Sequence, residues 1–380
     1  MLRITQTIFE NFYKIYKYLK ISFLYSIDGF LFYFCFWVSR MMVREYLKLA
    51  RSFNAVLTGI SPVMGAIAME QFDISYLILL FLIGFFGHSF GFVLNDIVDY
   101  RIDKYSKEIR DRPLVSGTIT IKKAGLFALL SIIIAFLLAF YLAFITQRFF
   151  PILILIISAF FITIYNLISK KYPVTDILVA LGIFFLILYG AFYGKNIVQN
   201  FGDITDLAWI VCVLGSIQVL YMQMIAGGMK DIENDYKKGA KTLAIKLGVR
   251  IVNGKLKVSA AFKALAYSIQ LFDIIIVFLP FLIITNFSLN ISLRYLQWIA
   301  LIIIGISMFV LSHKLLSMKR FERFRARKLI GSHYVINFTL VPIMLMSLDL
   351  RAGLLIFFPA LGYILSNIIV HGTILQPKTM

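Results

Sequence analysis

Charge is scarce in this chain. Only 15% of its 380 residues are Asp, Glu, Lys or Arg, while 61% are hydrophobic. A soluble domain is about a quarter charged and about half apolar. Apolar runs of about 18 residues or more recur along the whole length, which makes this a polytopic membrane protein and excludes a soluble two-domain enzyme. Cysteine is nearly absent. Cys35 and Cys212 both lie in apolar runs, so there is no disulfide framework and no statement about redox compartment. Acidic residues are half as many as basic ones, 19 against 38, for a net charge of +19. Such an excess suggests nucleic acid, but no basic module exists outside the membrane-linked loops. The better account is Lys and Arg kept in cytoplasmic loops, facing anionic lipid head groups. The first residues do not read as a signal peptide either. Arg3, Lys14, Lys17 and Lys20 are not followed by a short apolar core with a small-residue cleavage site.

What the chain has is membrane spans. Candidates fall at 51–69, 75–94, 124–146, 149–168, 174–194, 206–226, 262–286, 296–317, 331–348 and 352–371. The loops between them alternate in basic content. The loop after the second span holds Arg101, Lys104, Lys107, Arg110 and Arg112, among others. Those after the fourth, sixth and eighth are also basic, and the intervening loops carry at most one basic residue each. The bias assigns the rich loops to the cytoplasm. Residues 21–39 are apolar and aromatic but broken by Asp28-Gly29, with basic flanks on both sides. A crossing would strand one flank outside, so this stretch fits an interfacial or re-entrant element better. The expected organisation is a basic, interfacial extension over 1–48 and an all-α intramembrane bundle of about nine to ten spans over 49–380.

Two stretches carry chemistry. Asn95, Asp99 and Asp103 stand i, i+4, i+8 where the second span ends. On a helix they form one stripe of oxygen-bearing side chains, each about 5.4 Å from the next. Asp96 stands beside them, and Arg112-Pro113-Leu114 with Ser116-Gly117 follow. The second stretch is Lys230-Asp231-Ile232-Glu233-Asn234-Asp235, running on to Gly239, Thr242 and Leu243 after the sixth span. Asp231 and Asp235 are again i, i+4. Carboxylates at the end of a membrane segment are costly without positive charge among them. Hard divalent cations take carboxylate oxygens, and Mg²⁺ commonly bridges carboxylates to substrate phosphates. Two such ladders facing each other can hold two or more metal ions around one diphosphate. The metal ligands expected are Asn95, Asp99, Asp103, Asp231 and Asp235. Arg51, Arg112 and Lys170 are cations available to the diphosphate, although Arg51, Lys170 and Lys171 also read as ordinary topology-setting charge. If the rest of the diphosphate ester is an allylic isoprenoid, its departure leaves a stabilised carbocation that a water-poor chamber protects.

The patterns Asn-x3-Asp-x3-Asp with Arg-Pro-Leu-x-Ser-Gly, and Asp-x3-Asp-x3-Gly-x2-Thr-Leu, resemble the UbiA-type intramembrane prenyltransferases. The resemblance runs from about Arg51 to about residue 330. It implies a helical bundle around a cytoplasm-facing chamber, with Mg²⁺-dependent transfer of a polyprenyl group from an allylic prenyl diphosphate to a lipid-soluble or aromatic acceptor. It implies an integral membrane protein, in the cell membrane of a prokaryote, with residues 49–380 as the prenyltransferase domain. On its authority Arg51, Arg112, and the Tyr165 and Lys170 of a Tyr-x4-Lys pattern look like diphosphate-binding residues. Asp99, Asp103, Asp231 and Asp235 look like the catalytic metal-binding set. Gly227-Gly228-Met229-Lys230 departs from menaquinone-type members, which tend to have asparagines there. Arg51-Ser52-Phe53-Asn54, with Gly65 further on, resembles the archaeal lipid branch, the digeranylgeranylglyceryl phosphate synthases.

His88 shares the stripe that ends in the first motif and has two readings, an acceptor contact or a histidine packed between helices. Two rival functions use similar residues. A CDP-alcohol phosphotransferase needs an Asp-Gly-x2-Ala-Arg run between its acidic pairs, and this chain has none. A cation transporter tends to place its acids at mid-membrane on broken helices, whereas these sit at helix ends beside Arg and Lys.

Overall fold

A computed structural model describes residues 42–104, 109–169, 171–196, 200–239, 241–252, 255–285, 287 and 291–372. The element expected over 21–39, and Lys170, lie outside the described residues. The chain divides into two compact units, Met1–Leu47 and Lys48–Met380. Of the first, residues 42–47 are described and are helical. All that follows concerns the second.

Its first half runs α1 Ser52–Ala68, α2 Ile74–Asp103, α3 Ile121–Thr146, α4 Phe150–Ile168 and α5 Asp176–Ala191. Then come α6 Asp206–Leu220, a π-helical segment Tyr221–Gly227 and α7 Gly228–Lys238. A short α8, Leu243–Lys246, leads into an antiparallel ribbon of β1 Arg250–Val252 and β2 Lys255–Lys257. The chain closes with α9 Ala260–Ile283, α10 Ile291–Leu316, α11 Arg323–Asn337, α12 Leu340–Leu345, a 3-10 segment Leu350–Ile356 and α13 Phe357–His371. Among the described residues, eight helical stretches are long and apolar enough to cross a membrane, and α1 and α5 are shorter apolar helices. Each of the ten expected spans thus holds a helix. Large apolar side chains such as Leu126, Leu137 and Phe144 on α3, and Ile303 and Ile306 on α10, are exposed, as a lipid-facing surface requires.

Two features position the site. The first is length. Asp73 caps α2 by accepting from the Ser75 backbone N–H at 2.8 Å, and the helix runs 30 residues. At 1.5 Å per residue that is about 45 Å, against a hydrocarbon core of about 30 Å. The helix is therefore longer than a perpendicular crossing needs, and its last turns carry the first acidic stripe. The second is close packing. On α3 the buried face includes Ala124, Ala128, Ser131, Ala135 and Ala139, small residues three or four apart that let a neighbouring helix approach. α1 and α5 meet backbone to backbone. A Cβ on Gly65 would overlap the Ile187 carbonyl, and one on Gly190 the Pro62 carbonyl. The buried side chains form two clusters, one including Ile67, Ile187 and Val211, the other Phe53, Met229, Phe262 and Ile330.

Candidate active site

The first motif is built around arginines. Asp96, Asp99 and Asp103 are all nearly buried at the end of α2. Arg51 Nη2 donates to Asp96 Oδ1 at 2.7 Å, and its guanidinium lies 4.8 Å from the centre of the Phe92 ring. Arg51 itself is in the left-handed region, φ 48° and ψ 54°, a conformation that costs a residue with a Cβ roughly 1–2 kcal/mol. Such strain persists where surrounding contacts over-determine it; here the ion pair and the ring grip the side chain.

Arg112 Nη1 donates to Asp103 Oδ2 at 2.8 Å and stands 3.6 Å from Asp96 Oδ1. The residues after it explain how it is held. Leu114 is buried, the Ser116 N–H donates to the Arg112 carbonyl at 2.8 Å and the Ile119 N–H to that of Pro113 at 3.0 Å. Gly117 takes φ +77°, the left-handed turn that glycine permits. Arg-Pro-Leu-x-Ser-Gly is thus a rigid turn that fixes one guanidinium. Burial opposes the charge of Arg112, but Asp96, Asp103, Asp231 and Asp99 outweigh it and raise its pKa above the ordinary arginine value. These carboxylates come from both motifs.

The second motif follows the π-helical segment. Asp231 is 3.5 Å from Lys230 Nζ and 3.4 Å from Arg323 Nη2 of α11. α7 ends at Gly239 with φ 65°. One cavity of about 790 Å³ is lined by Asn95, Asp99 and Asp103 of the first motif and by Asp231 and Asp235 of the second. Arg51, Arg112, Tyr165, Lys230 and Arg323 also line it. So do the apolar side chains Ile132, Phe136, Leu155, Ile162, Ile183 and Leu186, from α3, α4 and α5. Every residue of the expected site that the structure describes therefore reaches one chamber.

The expected metal ligands are not drawn into a ready-made cluster. Among the described residues no three His, Cys, Asp or Glu side chains converge as a metal-binding group. The reason is electrostatic. Carboxylates repel one another, and here guanidinium and ammonium groups stand against Asp96, Asp103 and Asp231. The donor set fits a hard divalent cation, since Asn95, Asp99, Asp103, Asp231 and Asp235 offer oxygen alone.

Residues 54–336 match the model of the UbiA prenyltransferase family. The chain belongs to that family. Membership removes the phosphotransferase and transporter readings: this is a prenyltransferase. The digeranylgeranylglyceryl phosphate synthase of Pyrococcus furiosus is 32% identical over 232 residues, covering 58% of this chain and 78% of that one. The enzyme of the same name from Methanocaldococcus jannaschii is 27% identical over 209 residues, covering 54% and 68%. A UbiA homologue from Archaeoglobus fulgidus, bound to GPP and Mg²⁺, superposes with a TM-score of 0.57 at 16% identity, covering 80% of this chain and 99% of that one. A solved digeranylgeranylglyceryl phosphate synthase gives 0.55 at 22% identity, covering 80% and 98%. At these identities the structural likeness is one of fold.

In this UbiA-family chain, sequence reasoning missed three site residues. Asp96, off the stripe of Asn95, Asp99 and Asp103, is the partner of Arg51. Arg323 read as one more basic residue in a loop. Asp176, at the start of α5, lines the cavity together with Tyr165; an acid opening an otherwise apolar run was its only signal. His88 satisfies both of its readings in part. It lines the cavity, yet its Nδ1 pairs with Thr58 Oγ1 at 2.7 Å and its ring stacks on Phe92 at 4.2 Å.

Proposed function

We propose that this prenyltransferase moves a prenyl chain from an allylic prenyl diphosphate to a hydroxyl of a glycerophosphate-type lipid, at the cytoplasmic face of the membrane. The observation that supports the reading is the single cavity lined by both acidic motifs together with Arg51, Arg112 and Lys230. A diphosphate at Arg112 lies beside Asp103 in a cavity that Asp231 and Asp235 also line. The relatives named as digeranylgeranylglyceryl phosphate synthases support the acceptor class, and the Archaeoglobus homologue bound to GPP and Mg²⁺ supports the donor. The cytoplasmic assignment rests on the basic loops, which flank both motifs. In this reading residues 49–380 form the catalytic bundle and 1–48 a basic interfacial extension.

Asn95, Asp99, Asp103, Asp231 and Asp235 are the residues to hold Mg²⁺, which when bound neutralises the diphosphate and makes it a better leaving group. Arg51, Arg112 and Lys230 bind the diphosphate oxygens, the arginines through planar forks and the lysine as a compact charge. Tyr165 and Lys170 complete that set. The apolar wall from α3, α4 and α5 takes the prenyl chain and keeps water from the allylic cation. The bond between the allylic carbon and the diphosphate oxygen breaks, its electrons leaving with the diphosphate. The acceptor oxygen then bonds to that carbon and loses its proton.

Purified protein, Mg²⁺ and labelled geranylgeranyl diphosphate, offered a prenylated glycerol phosphate, aromatic acids and quinone precursors in parallel, test the reading. The expected product is the doubly prenylated glycerol phosphate, with diphosphate released. Transfer to an aromatic acceptor alone would overturn the acceptor class.

A further inference from the structure

Two anionic head groups must share the polar end of this cavity if the acceptor is a phosphate-headed lipid. The first motif supplies cations for one of them, Arg51 and Arg112. α11 brings a second pair to the other motif. Arg323 stands 3.4 Å from Asp231 and lines the cavity. Arg327 lies one turn further along the same helix face. It acts electrostatically on Asp231 and Arg112, and on Arg323. Its Nε is buried without a hydrogen-bond partner. Lys230 also reaches Asp231, at 3.5 Å. Asp231, 38% exposed, therefore meets cations from two helices, Lys230 of α7 and Arg323 of α11.

The same face of α11 continues as an apolar track. Positions 323, 327, 334 and 338 recur at helical spacing, i, i+4, i+11 and i+15, which keeps them on one side. Tyr334 and Phe338 line the same cavity as Arg323 and pack against each other with ring centres 5.2 Å apart. From Arg323 to Phe338 the track is about 22 Å long. Its shape is that of an anionic amphiphile: a charged fork at one end and aromatic faces below. The wall from α3, α4 and α5 lines the same cavity with residues of other helices and is available to the donor chain.

We propose that Arg323 and Arg327, with the Tyr334–Phe338 track below them, form the subsite for a phosphate-headed lipid acceptor. The inference rests on the proposed function and adds to it the place where the acceptor's phosphate sits. The guanidinium forks take the phosphate oxygens, and the alkyl chain lies along the aromatic rings.

Two matched acceptors separate head-group recognition from everything else: a prenylated glycerol phosphate and the same prenylated glycerol without phosphate. In the full-length protein, Arg327→Gln raises KM for the phosphate acceptor about tenfold or more, a loss of about 1.4 kcal/mol per tenfold. KM for geranylgeranyl diphosphate stays within about twofold, and so does use of the phosphate-free acceptor. Arg327→Lys recovers part of the loss, since it keeps the charge but not the fork. A second readout needs no turnover. The glycerol phosphate lipid alone raises the unfolding midpoint of the wild-type protein, and this rise is lost in Arg327→Gln. If Arg327→Gln does not fold, Arg327→Lys carries the same comparison through a smaller rise in the same KM. A rise in KM for geranylgeranyl diphosphate instead would assign these arginines to the donor and overturn the subsite. So would an equal loss with both acceptors. If wild-type protein uses the phosphate acceptor and the variants bind it unchanged, the subsite alone falls. If wild-type protein refuses every glycerol phosphate lipid, the proposed function falls with it.

Discussion

The ion pair between Arg51 and Asp96 makes a prediction that separates architecture from chemistry. The two side chains are 11% and 6% exposed and 2.7 Å apart. Removing one partner of a buried pair costs about 3–5 kcal/mol, because the other charge stays buried and uncompensated. For Arg51→Ala the cost falls toward the lower end, near 3 kcal/mol, since Arg112 remains 3.6 Å from the same Asp96 oxygen. Alanine offers no relief at φ 48°, because it keeps a Cβ in the left-handed region. Asp96→Asn leaves Arg51 facing a neutral amide and is expected to cost about 2 kcal/mol. The double variant has neither charge, so its loss is smaller than the sum, with a coupling energy of about 2 kcal/mol. Reversible unfolding of the four proteins in mixed detergent micelles measures it. A coupling below about 0.5 kcal/mol would show that the pair contributes nothing specific and refute the reasoning. Turnover adds a second axis. If Arg51 also binds diphosphate, the double variant is about as stable as Arg51→Ala and stays slow. Wild-type turnover in the double variant would remove Arg51 from the substrate site.

Three further outcomes follow from the same geometry. Asp99→Ala and Asp235→Ala, one from each motif lining the cavity, are each expected to cut diphosphate release by about a hundredfold or more while the protein still elutes as a folded species; full activity in either variant removes that residue from the site. Chelation with EDTA abolishes diphosphate release and added Mg²⁺ restores it, because the carboxylates then face the diphosphate with no metal ion between them; activity that survives chelation refutes the metal requirement. Gly190→Ala drives a methyl group into the Pro62 carbonyl of α1, which is backbone and has little freedom to yield. It lowers stability by roughly 1–3 kcal/mol, read as a shift of the unfolding midpoint, and it also lowers turnover because α1 carries Arg51.

The spans were legible in the sequence for a simple reason. A bilayer imposes a length, so a run of apolar residues reports a helix without reference to anything else in the chain. The acidic ladders were legible too, since i, i+4 spacing is a local property of one helix. What escaped the sequence was every relation between segments. The stripe rule groups Asn95, Asp99 and Asp103, and it leaves Asp96 about 100° away around the helix. Nothing in that stretch says that Arg51, from the start of another helix, will meet Asp96 rather than the stripe. The π-helical segment Tyr221–Gly227, which resets the register just before Lys230, has no signature in hydropathy. Arg323 lies in a basic run where Arg320 and Arg325 look the same as it does, and only the packing of α11 on α7 selects it. In a membrane chain, then, the distribution of charge along the sequence reports which side of the bilayer a loop occupies. Which of those charges serve a site is decided by helix packing, and the arginines of α11 are the case where the two readings part.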